Sequence, residues 1–211
     1  MPKIGIMGGT FDPIHNTHLA LGIQAFQEYH LDAIWYMPSK CPPHKSGHVL
    51  ADTKDRCEMV QIAIRPYPFM VFSDFELLRE GKTYTADTLR LLHESYPEYQ
   101  FYFIVGADSL LHIETWYHPE QVLTQTTFLV AGRLSVTSES LEEAEEQLNL
   151  QITYLTDKYH AKIYRLHNSN TNLSSTTVRE LVARGEGVRH IVPAEVAVYI
   201  EKYHLYQEVS E

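Results

Sequence analysis

Short apolar runs alternate with amphipathic stretches along most of the chain, and this alternation predicts strands separated by helices. Apolar, β-prone runs occupy residues 3–7, 33–37, 69–72, 101–105, 127–131 and 162–166. The stretches between and after them predict helices at residues 15–29, 52–65, 85–95, 139–148, 175–183 and 193–203. Such alternation is typical of an α/β fold with a doubly wound, mostly parallel sheet that helices cover on both faces.

The length and charge of the chain limit its organisation and its partners. At 211 residues, with no internal repeat, low-complexity tract or obvious linker, the chain is expected to form a single domain over residues 1–211. Its net charge of −10 argues against binding driven by attraction to nucleic acid or to an anionic membrane. A small anionic substrate stays open, because a few local cations can dominate the field inside a pocket.

The sequence carries no sign of membrane insertion, secretion or cysteine chemistry. No apolar run approaches the roughly 20 residues that span a bilayer. The N-terminal apolar stretch soon meets Asp12 and Pro13, unlike a secretory signal. Cys41 and Cys57 match neither a metal-binding pattern nor a disulfide framework. We therefore expect free thiols and a cytoplasmic protein.

The segment at residues 8–18 carries the strongest chemical signal of the chain. It follows the first predicted strand, begins with Gly8 and Gly9, and places His15 and His18 where a helix should begin. Glycines let a backbone approach a ligand closely, and a helix start presents N–H groups with partial positive charge. The two histidines add donors that can become cationic near neutral pH. The segment therefore suits a nucleotide phosphate that is bound and transferred.

The residues alone leave two other interpretations of the histidine pair open. A zinc site needs further ligands, and no suitably spaced Cys or Glu accompanies His15 and His18. Two structural histidines at a helix cap are the other alternative. The segment matches neither the P-loop nor the dinucleotide-binding glycine pattern, so neither of those phosphate sites applies.

Residues of types that bind ligands or take part in catalysis follow four of the predicted strands. These segments are residues 8–18, 39–45, 106–108 and 168–176. In a doubly wound sheet, ligands bind beyond the carboxyl ends of the strands, near the point where the strand order reverses. The shared placement predicts a single site built from all four segments.

The first segment resembles the H-x-G-H signature of the nucleotidyltransferase α/β-phosphodiesterase superfamily. The second signature of that superfamily, S-T-x-x-R at the start of a late helix, is matched by residues 175–179. By their residue types alone, Ser174, Ser175 and Thr176 form a plain helix cap, and Arg179 could reach an anion bound there. The resemblance implies a Rossmann-like fold in which the C-terminal helices, at about residues 174–206, complete the active site.

Other segments are similar to one family in that superfamily, the nicotinate-nucleotide adenylyltransferases. They are residues 42–45, 82–89, 103–110 with Trp116, and 192–206. The resemblance implies transfer of AMP from ATP to nicotinate mononucleotide, which yields nicotinate adenine dinucleotide and pyrophosphate in NAD biosynthesis. Mg²⁺ would be held mainly by the phosphates, without protein side chains as ligands. The partners would be these small molecules rather than nucleic acid or a membrane, and a homo-oligomer is left open.

The resemblance also implies the residues of the site. Those expected to act on the reacting phosphates are His15, His18 and Arg179. Those expected to bind ATP are Gly8, Gly9, Thr10, Phe11, Gly106, Asp108, Ser175 and Thr176. Those expected to bind nicotinate mononucleotide are Ser39, His44, Lys45, Tyr84, Thr85, Trp116 and Arg133. The phosphate of the mononucleotide would attack the α-phosphorus of ATP in line, which requires positioning and charge neutralisation.

One residue departs from the superfamily pattern. Thr17 stands where the motif has glycine before its second histidine. Its side chain would crowd the adenosine or donate a hydrogen bond to the nucleotide, and we expect either effect to shift the affinity for ATP.

Two rival functions remain. One is transfer to another phosphorylated acceptor, such as pantetheine phosphate or nicotinamide mononucleotide. Chain length, residues 82–89 and Trp116 argue against it. The other is a nucleotide sensor that binds without turnover. The intact His15, His18 and Arg179 argue against that function.

Overall fold

Six strands and eight helices make up the part of the chain that the computed structural model describes, which is residues 1–40, 51–132, 141–167 and 173–207. The strands are β1 (Lys3–Gly9), β2 (Ala33–Pro38), β3 (Met70–Phe72), β4 (Gln100–Gly106), β5 (Thr127–Ala131) and β6 (Lys162–Leu166). The helices are α1 (Asn16–Tyr29), α2 (Thr53–Ile64), α3 (Thr85–Ser95), α4 (Ala107–Leu111), α5 (Pro119–Gln125), α6 (Leu141–Tyr159), α7 (Ser175–Ala183) and α8 (Ala194–Lys202). A 3-10 turn at Ile113–Thr115 lies between α4 and α5.

The strands form one sheet in the order β3-β2-β1-β4-β5-β6, and each pair of neighbours runs parallel. This confirms the predicted doubly wound α/β fold. The chain proceeds outward on one side from β1 and on the other side from β4, so the strand order reverses between these two central strands. Connections that leave in opposite directions open a crevice at the carboxyl ends of such a pair.

Apolar clusters cover both faces of the sheet, because parallel strands joined by helices are buried on both sides. In β4, Phe101, Phe103 and Val105 belong to one cluster, and Tyr102 and Ile104 belong to the other. This alternation is the two-residue period of a strand. Helices α1, α2, α7 and α8 contribute to the cluster of Tyr102, and helices α3 to α6 contribute to the cluster of Phe103.

The structure departs from the predicted elements in two places. The apolar pattern predicts no helix between β4 and β5, where α4 and α5 lie. With 5 and 7 residues, these helices are too short to show a clear helical period. The predicted acidic helix at residues 139–148 continues to Tyr159, because its apolar face extends from Leu148 to the buried Leu155. Within the described ranges, no helix has the length and the apolar character that crossing a membrane requires.

Candidate active site

A cavity of about 620 Å³ lies at the carboxyl ends of β1 and β4, where the strand order reverses. Its lining includes Gly8 and Gly9 at the end of β1, Gly106 at the end of β4, Thr85 of α3 and Ser175 of α7. Sites for small molecules typically occupy about 300–1,000 Å³, so a nucleotide-sized ligand suits this crevice.

Four helices of the described chain begin at the crevice: the five-residue α4, which Gly106 precedes, and three longer ones. His15, Tyr84 and Ser174 are the residues directly before α1, α3 and α7, and all three line the cavity. The N–H groups of a first helical turn carry partial positive charge and bind anions well. Three such ends around one cavity favour a ligand with several negatively charged groups.

His15 and His18 lie against each other at the start of α1. Their ring centroids are 3.8 Å apart, and the backbone N–H of His15 donates to Nδ1 of His18 at 3.2 Å. This hydrogen bond requires Nδ1 of His18 to be unprotonated, so Nε2 carries the proton of the neutral ring. In this tautomer, the Nε2–H group of His18 is the hydrogen-bond donor of the ring.

Burial determines the charge of His15. The residue is 4% exposed, and desolvation by burial lowers its pKa from 6.5 to about 4. His15 is therefore neutral at pH 7 and takes part as a hydrogen-bonding group. The prediction of a cation near neutral pH is wrong for His15, because burial at the start of α1 favours the neutral imidazole.

Two aromatic residues fix the position of His18. The ring of Phe11 lies edge-on to the ring of His18, with centroids 5.1 Å apart, and Phe11 is 2% exposed. The hydroxyl of Tyr36 in β2 donates to the backbone carbonyl of His18 at 2.9 Å. Phe11, predicted to bind ATP, thus packs beneath His18.

Hydrogen bonds attach the second signature segment to the first. The hydroxyl of Ser175 donates to the carbonyl of Pro13 at 2.9 Å, and Nη1 of Arg179 donates to the carbonyl of Asp12 at 2.7 Å. Nη2 of Arg179 donates to the hydroxyl of Thr176, a lining residue, at 3.1 Å. Arg179 is not itself among the lining residues, and it bridges the two segments next to Thr176.

Ser174 caps α7. Its hydroxyl oxygen accepts a hydrogen bond from the backbone N–H of Thr177 at 3.2 Å, which confirms the helix cap indicated by the residue types. The cap and the contact of Ser175 with Pro13 fix the direction in which α7 meets the crevice.

An aromatic wall forms the side of the crevice next to β4 and α3. The rings of Tyr84 and Tyr117 lie 4.4 Å apart at an interplanar angle of 31°. Trp116 meets Phe103 edge to face, with centroids 6.4 Å apart, and all four residues line the cavity. Such a wall offers flat surfaces to a planar ring. Tyr117 was not predicted, although it directly follows Trp116.

Glu76 is a buried carboxylate in the lining that sequence analysis missed. It is 9% exposed and accepts a hydrogen bond from the hydroxyl of Thr88 at 2.8 Å, which in turn accepts one from Arg79 at 2.8 Å. Desolvation by burial raises the pKa of Glu76, although the hydrogen bond from Thr88 and the charge of Arg79 act in the opposite direction. No motif distinguishes this glutamate from its exposed neighbours.

Arg56, which the sequence did not predict as part of the site, lies below the crevice. It is 1% exposed, and Nη1 donates to the carbonyls of Thr10 at 2.6 Å and Ser39 at 3.1 Å. Its other donors reach the carbonyl of Ala51 and the hydroxyl of Thr53. One buried guanidinium thus ties together the chain segments that leave β1 and β2.

Most of the predicted site residues meet in this crevice. Those that line it are Gly8, Gly9, Thr10, His15, His18, Ser39, Tyr84, Thr85, Gly106, Asp108, Trp116, Ser175 and Thr176. Thr17 also lines it and is 8% exposed, so a bound nucleotide can contact its side chain. His44, Lys45 and Arg133 lie outside the described residues.

Comparison with known proteins finds relatives over almost the whole chain. Residues 6–181 match the cytidylyltransferase-like family. The chain is 41% identical to a "Probable nicotinate-nucleotide adenylyltransferase" of Lachnoclostridium phytofermentans, over 98% of this chain and 100% of that protein. A protein of the same name from Desulfitobacterium hafniense is 38% identical, over 97% and 96% of the two chains.

A solved structure shows the same fold. Nicotinic acid mononucleotide adenylyltransferase of Plasmodium falciparum, complexed with NaAD, superimposes with a TM-score of 0.76. The match covers 98% of each chain at 23% sequence identity.

Proposed function

Because the chain belongs to the cytidylyltransferase-like family and, within it, to the nicotinate-nucleotide adenylyltransferases, we propose that its crevice transfers AMP from ATP to nicotinate mononucleotide. The products are nicotinate adenine dinucleotide and pyrophosphate, in NAD biosynthesis. The observation that carries the proposal is the contact between the two signature segments: Ser175 and Arg179 donate to the carbonyls of Pro13 and Asp12, two and three residues before His15.

ATP binds between the two signature segments in this proposal. The phosphate of the mononucleotide attacks the α-phosphorus in line, one P–O bond forms as another breaks, and pyrophosphate leaves. His15 and His18 donate hydrogen bonds to the α- and β-phosphates, and Ser175, Thr176 and Arg179 bind the β/γ end. The helix starts of α1 and α7 at the cavity support this assignment, because the reaction depends on positioning and charge neutralisation.

The acceptor binds along the aromatic wall. Trp116, with Tyr84, provides flat surfaces for the pyridine ring, and the N–H groups at the start of α3, next to Thr85, suit the ring carboxylate. Ser39 lies at the same cavity. His44, Lys45 and Arg133 complete the proposed binding residues for the mononucleotide.

Mg²⁺ accompanies the phosphates in this proposal. Asp108 is exposed at the crevice and has the carboxylate oxygens that Mg²⁺ prefers, although we assign it chiefly to the ribose hydroxyls of ATP. Mg²⁺ is usually bound by substrate phosphates, water and one or two carboxylates, and the donors present fit this arrangement. When bound, the ion neutralises charge on the phosphate oxygens.

We also propose that residues 1–211 form one nucleotidyltransferase domain whose C-terminal helices complete the site. The lining residues Ser174, Ser175 and Thr176 at the start of α7 support this organisation.

A pyrophosphate-release assay with ATP and a panel of acceptors tests the proposed function. We expect release with nicotinate mononucleotide and none with pantetheine phosphate. Release with a different acceptor alone would identify another transferase. Binding of ATP without release for any acceptor would contradict transfer and indicate a nucleotide sensor.

A further inference from the structure

Asp12 is a buried carboxylate between the two signature segments, and the scheme above gives it no role. It is 0% exposed, and Oδ1 accepts hydrogen bonds from the backbone N–H of Ala51 at 3.2 Å and from the hydroxyl of Tyr206 at 2.8 Å. Oδ2 has no hydrogen-bond partner among the described residues and lies 3.9 Å from Nη1 of Arg179. A buried charge favours any orientation that brings it closer to an opposite charge.

Tyr206 reaches Asp12 from the far end of the described chain. After α8, the backbone N–H of Leu205 donates to the carbonyl of Ile200 at 3.1 Å, and Tyr206 has a left-handed backbone with φ of 62°. Leu205 and Tyr206 pack against the apolar cluster on that face of the sheet. Burial, with the charge of Asp12, raises the pKa of Tyr206, so its hydroxyl stays a hydrogen-bond donor.

The backbone carbonyl and the side-chain carboxylate of Asp12 compete for the guanidinium of Arg179. In the structure, Nη1 donates to the backbone carbonyl at 2.7 Å and lies 3.9 Å from the carboxylate. A paired, charge-assisted hydrogen bond to the carboxylate would be stronger than the bond to the carbonyl. A shift of the guanidinium towards the carboxylate would also disturb the hydrogen bond from Nη2 to the hydroxyl of Thr176. The hydroxyl of Tyr206 opposes this change, because it satisfies Oδ1 and fixes the orientation of the carboxylate.

We propose that Tyr206 is a positioning residue for Arg179. Its hydroxyl holds the carboxylate of Asp12 in the orientation that leaves the guanidinium beside Thr176, where it can bind the phosphates of ATP. This inference rests on the proposed function, since it uses the assignment of Arg179 to the β/γ end. Tyr206 acts only through Asp12 and Arg179.

Steady-state kinetics of Tyr206→Phe test the inference. Removing the hydroxyl leaves Oδ1 of Asp12 with the backbone N–H of Ala51 as its remaining donor, so the carboxylate can turn towards Arg179. We expect the KM for ATP to rise about tenfold, equivalent to about 1.4 kcal/mol, and the KM for nicotinate mononucleotide to change less than about twofold. Tyr199→Phe is the matched control, because the hydroxyl of Tyr199 in α8 donates to Asp55 in α2. Its KM for ATP should equal that of the wild type.

A double-mutant cycle separates positioning from a general folding defect. The Kd for ATP is measured by calorimetry for Tyr206→Phe, Arg179→Ala and the double variant. If Tyr206 acts through Arg179, Tyr206→Phe weakens binding only when Arg179 is present. Unchanged ATP binding and KM in Tyr206→Phe, or the same weakening in the Arg179→Ala background, would overturn the inference. Failure of the wild type to release pyrophosphate would instead contradict the proposed function.

Discussion

At the scale of single residues, His18 is held by contacts to its ring and to its backbone. The N–H of His15 fixes Nδ1, the ring of Phe11 lies edge-on, and Tyr36 holds the backbone carbonyl. A donor restrained in this way needs little reorganisation when charge develops on a phosphate.

We therefore expect His18→Ala to lower kcat by about 10²–10³, the usual cost of losing one preorganised donor. The KM for ATP should change much less, because the interaction strengthens in the transition state. Pyrophosphate release at saturating substrates measures the effect. His160→Asn, an exposed histidine at the amino end of β6 and away from the crevice, is the control. A raised KM with normal kcat would contradict the assigned role.

His15 makes the stability of the protein depend on pH. Burial lowers its pKa from 6.5 to about 4, so the unfolded chain binds a proton between these values and the folded protein does not. The contribution of His15 to stability is complete above pH 6.5 and is lost as the pH falls towards 4. Between pH 7.5 and 5 we expect it to fall by roughly 2 kcal/mol.

Urea unfolding at these two pH values measures this contribution. In His15→Gln, which has no titrating ring, the loss of stability between the two values should be smaller by that amount. The same loss in both proteins would show that His15 is not responsible.

The sequence predicted the site residues that carry a motif, and it missed residues without one, such as Glu76, Tyr117 and Arg56. Glycines, histidines and the Ser-Thr pair have spacings that reveal their chemistry. Arg56 donates to the backbone carbonyls of Thr10 and Ser39. Every residue has such a carbonyl, so the amino-acid sequence does not show which ones an arginine binds. The burial of His15 was not predictable either, because segments distant in the chain meet at the start of α1, where the N–H of Asn16 donates to the carbonyl of Ile191.

At the scale of elements, α1 approaches β2 closely because residue 22 is a glycine. A Cβ at Gly22 would clash with the hydroxyl of Tyr36, the group that holds the backbone of His18. The contact between these two elements therefore supports both the fold and the position of His18.

We expect Gly22→Ala to destabilise the protein by about 1–3 kcal/mol, as overpacking in a core usually does. It should also lower kcat, since Tyr36 shifts away from His18. Chemical unfolding and pyrophosphate release measure the two effects. Gly187→Ala is the matched control, because a Cβ there meets nothing within 4 Å. Tyr36→Phe should relieve part of the destabilisation in a double variant, and an undiminished effect would exclude this clash as the cause.

The strands and longer helices were predictable because apolar runs end at glycine, proline or polar residues. β5, for example, occupies the predicted residues 127–131. The helices α4 and α5 were not predictable, because each is shorter than two helical turns and therefore shows no helical period. Their position follows instead from the return of the chain from β4 to β5.

At the scale of the whole molecule, the crevice brings together residues from the first, middle and last thirds of the chain. Its position was predictable, because reactive or ligand-binding residue types follow four predicted strands, and the carboxyl ends of parallel strands lie at the same edge of the sheet. The contact between Tyr206 and Asp12 was not predictable, since a tyrosine after the last helix gives no signal about a partner 194 residues away.

A ligand that bridges these distant segments should stabilise the whole fold. At about 100 times its Kd, ATP adds about 2.7 kcal/mol to the free energy of unfolding, which corresponds to a Tm increase of about 5–10 °C. Differential scanning calorimetry with and without ATP and Mg²⁺ measures it. At the same ATP concentration, Arg179→Ala should show a smaller increase, because its affinity is lower. An equal increase in both proteins would contradict binding of ATP by Arg179.

The central place of β1 has a consequence for the time course of synthesis. One of its edges pairs with β2, where Ile4 faces Ala33. The other edge pairs with β4, where Lys3 faces Gln100, and stays unpaired until β4 has been synthesised. At about 5–20 residues per second, roughly 5–20 seconds separate the emergence of β1 from that of its second partner. Through this interval the nascent chain presents an apolar strand with an open edge, which is a template for pairing with the wrong strand. The strand that leads into the glycine turn is thus also the segment most in need of shielding while the protein is being made.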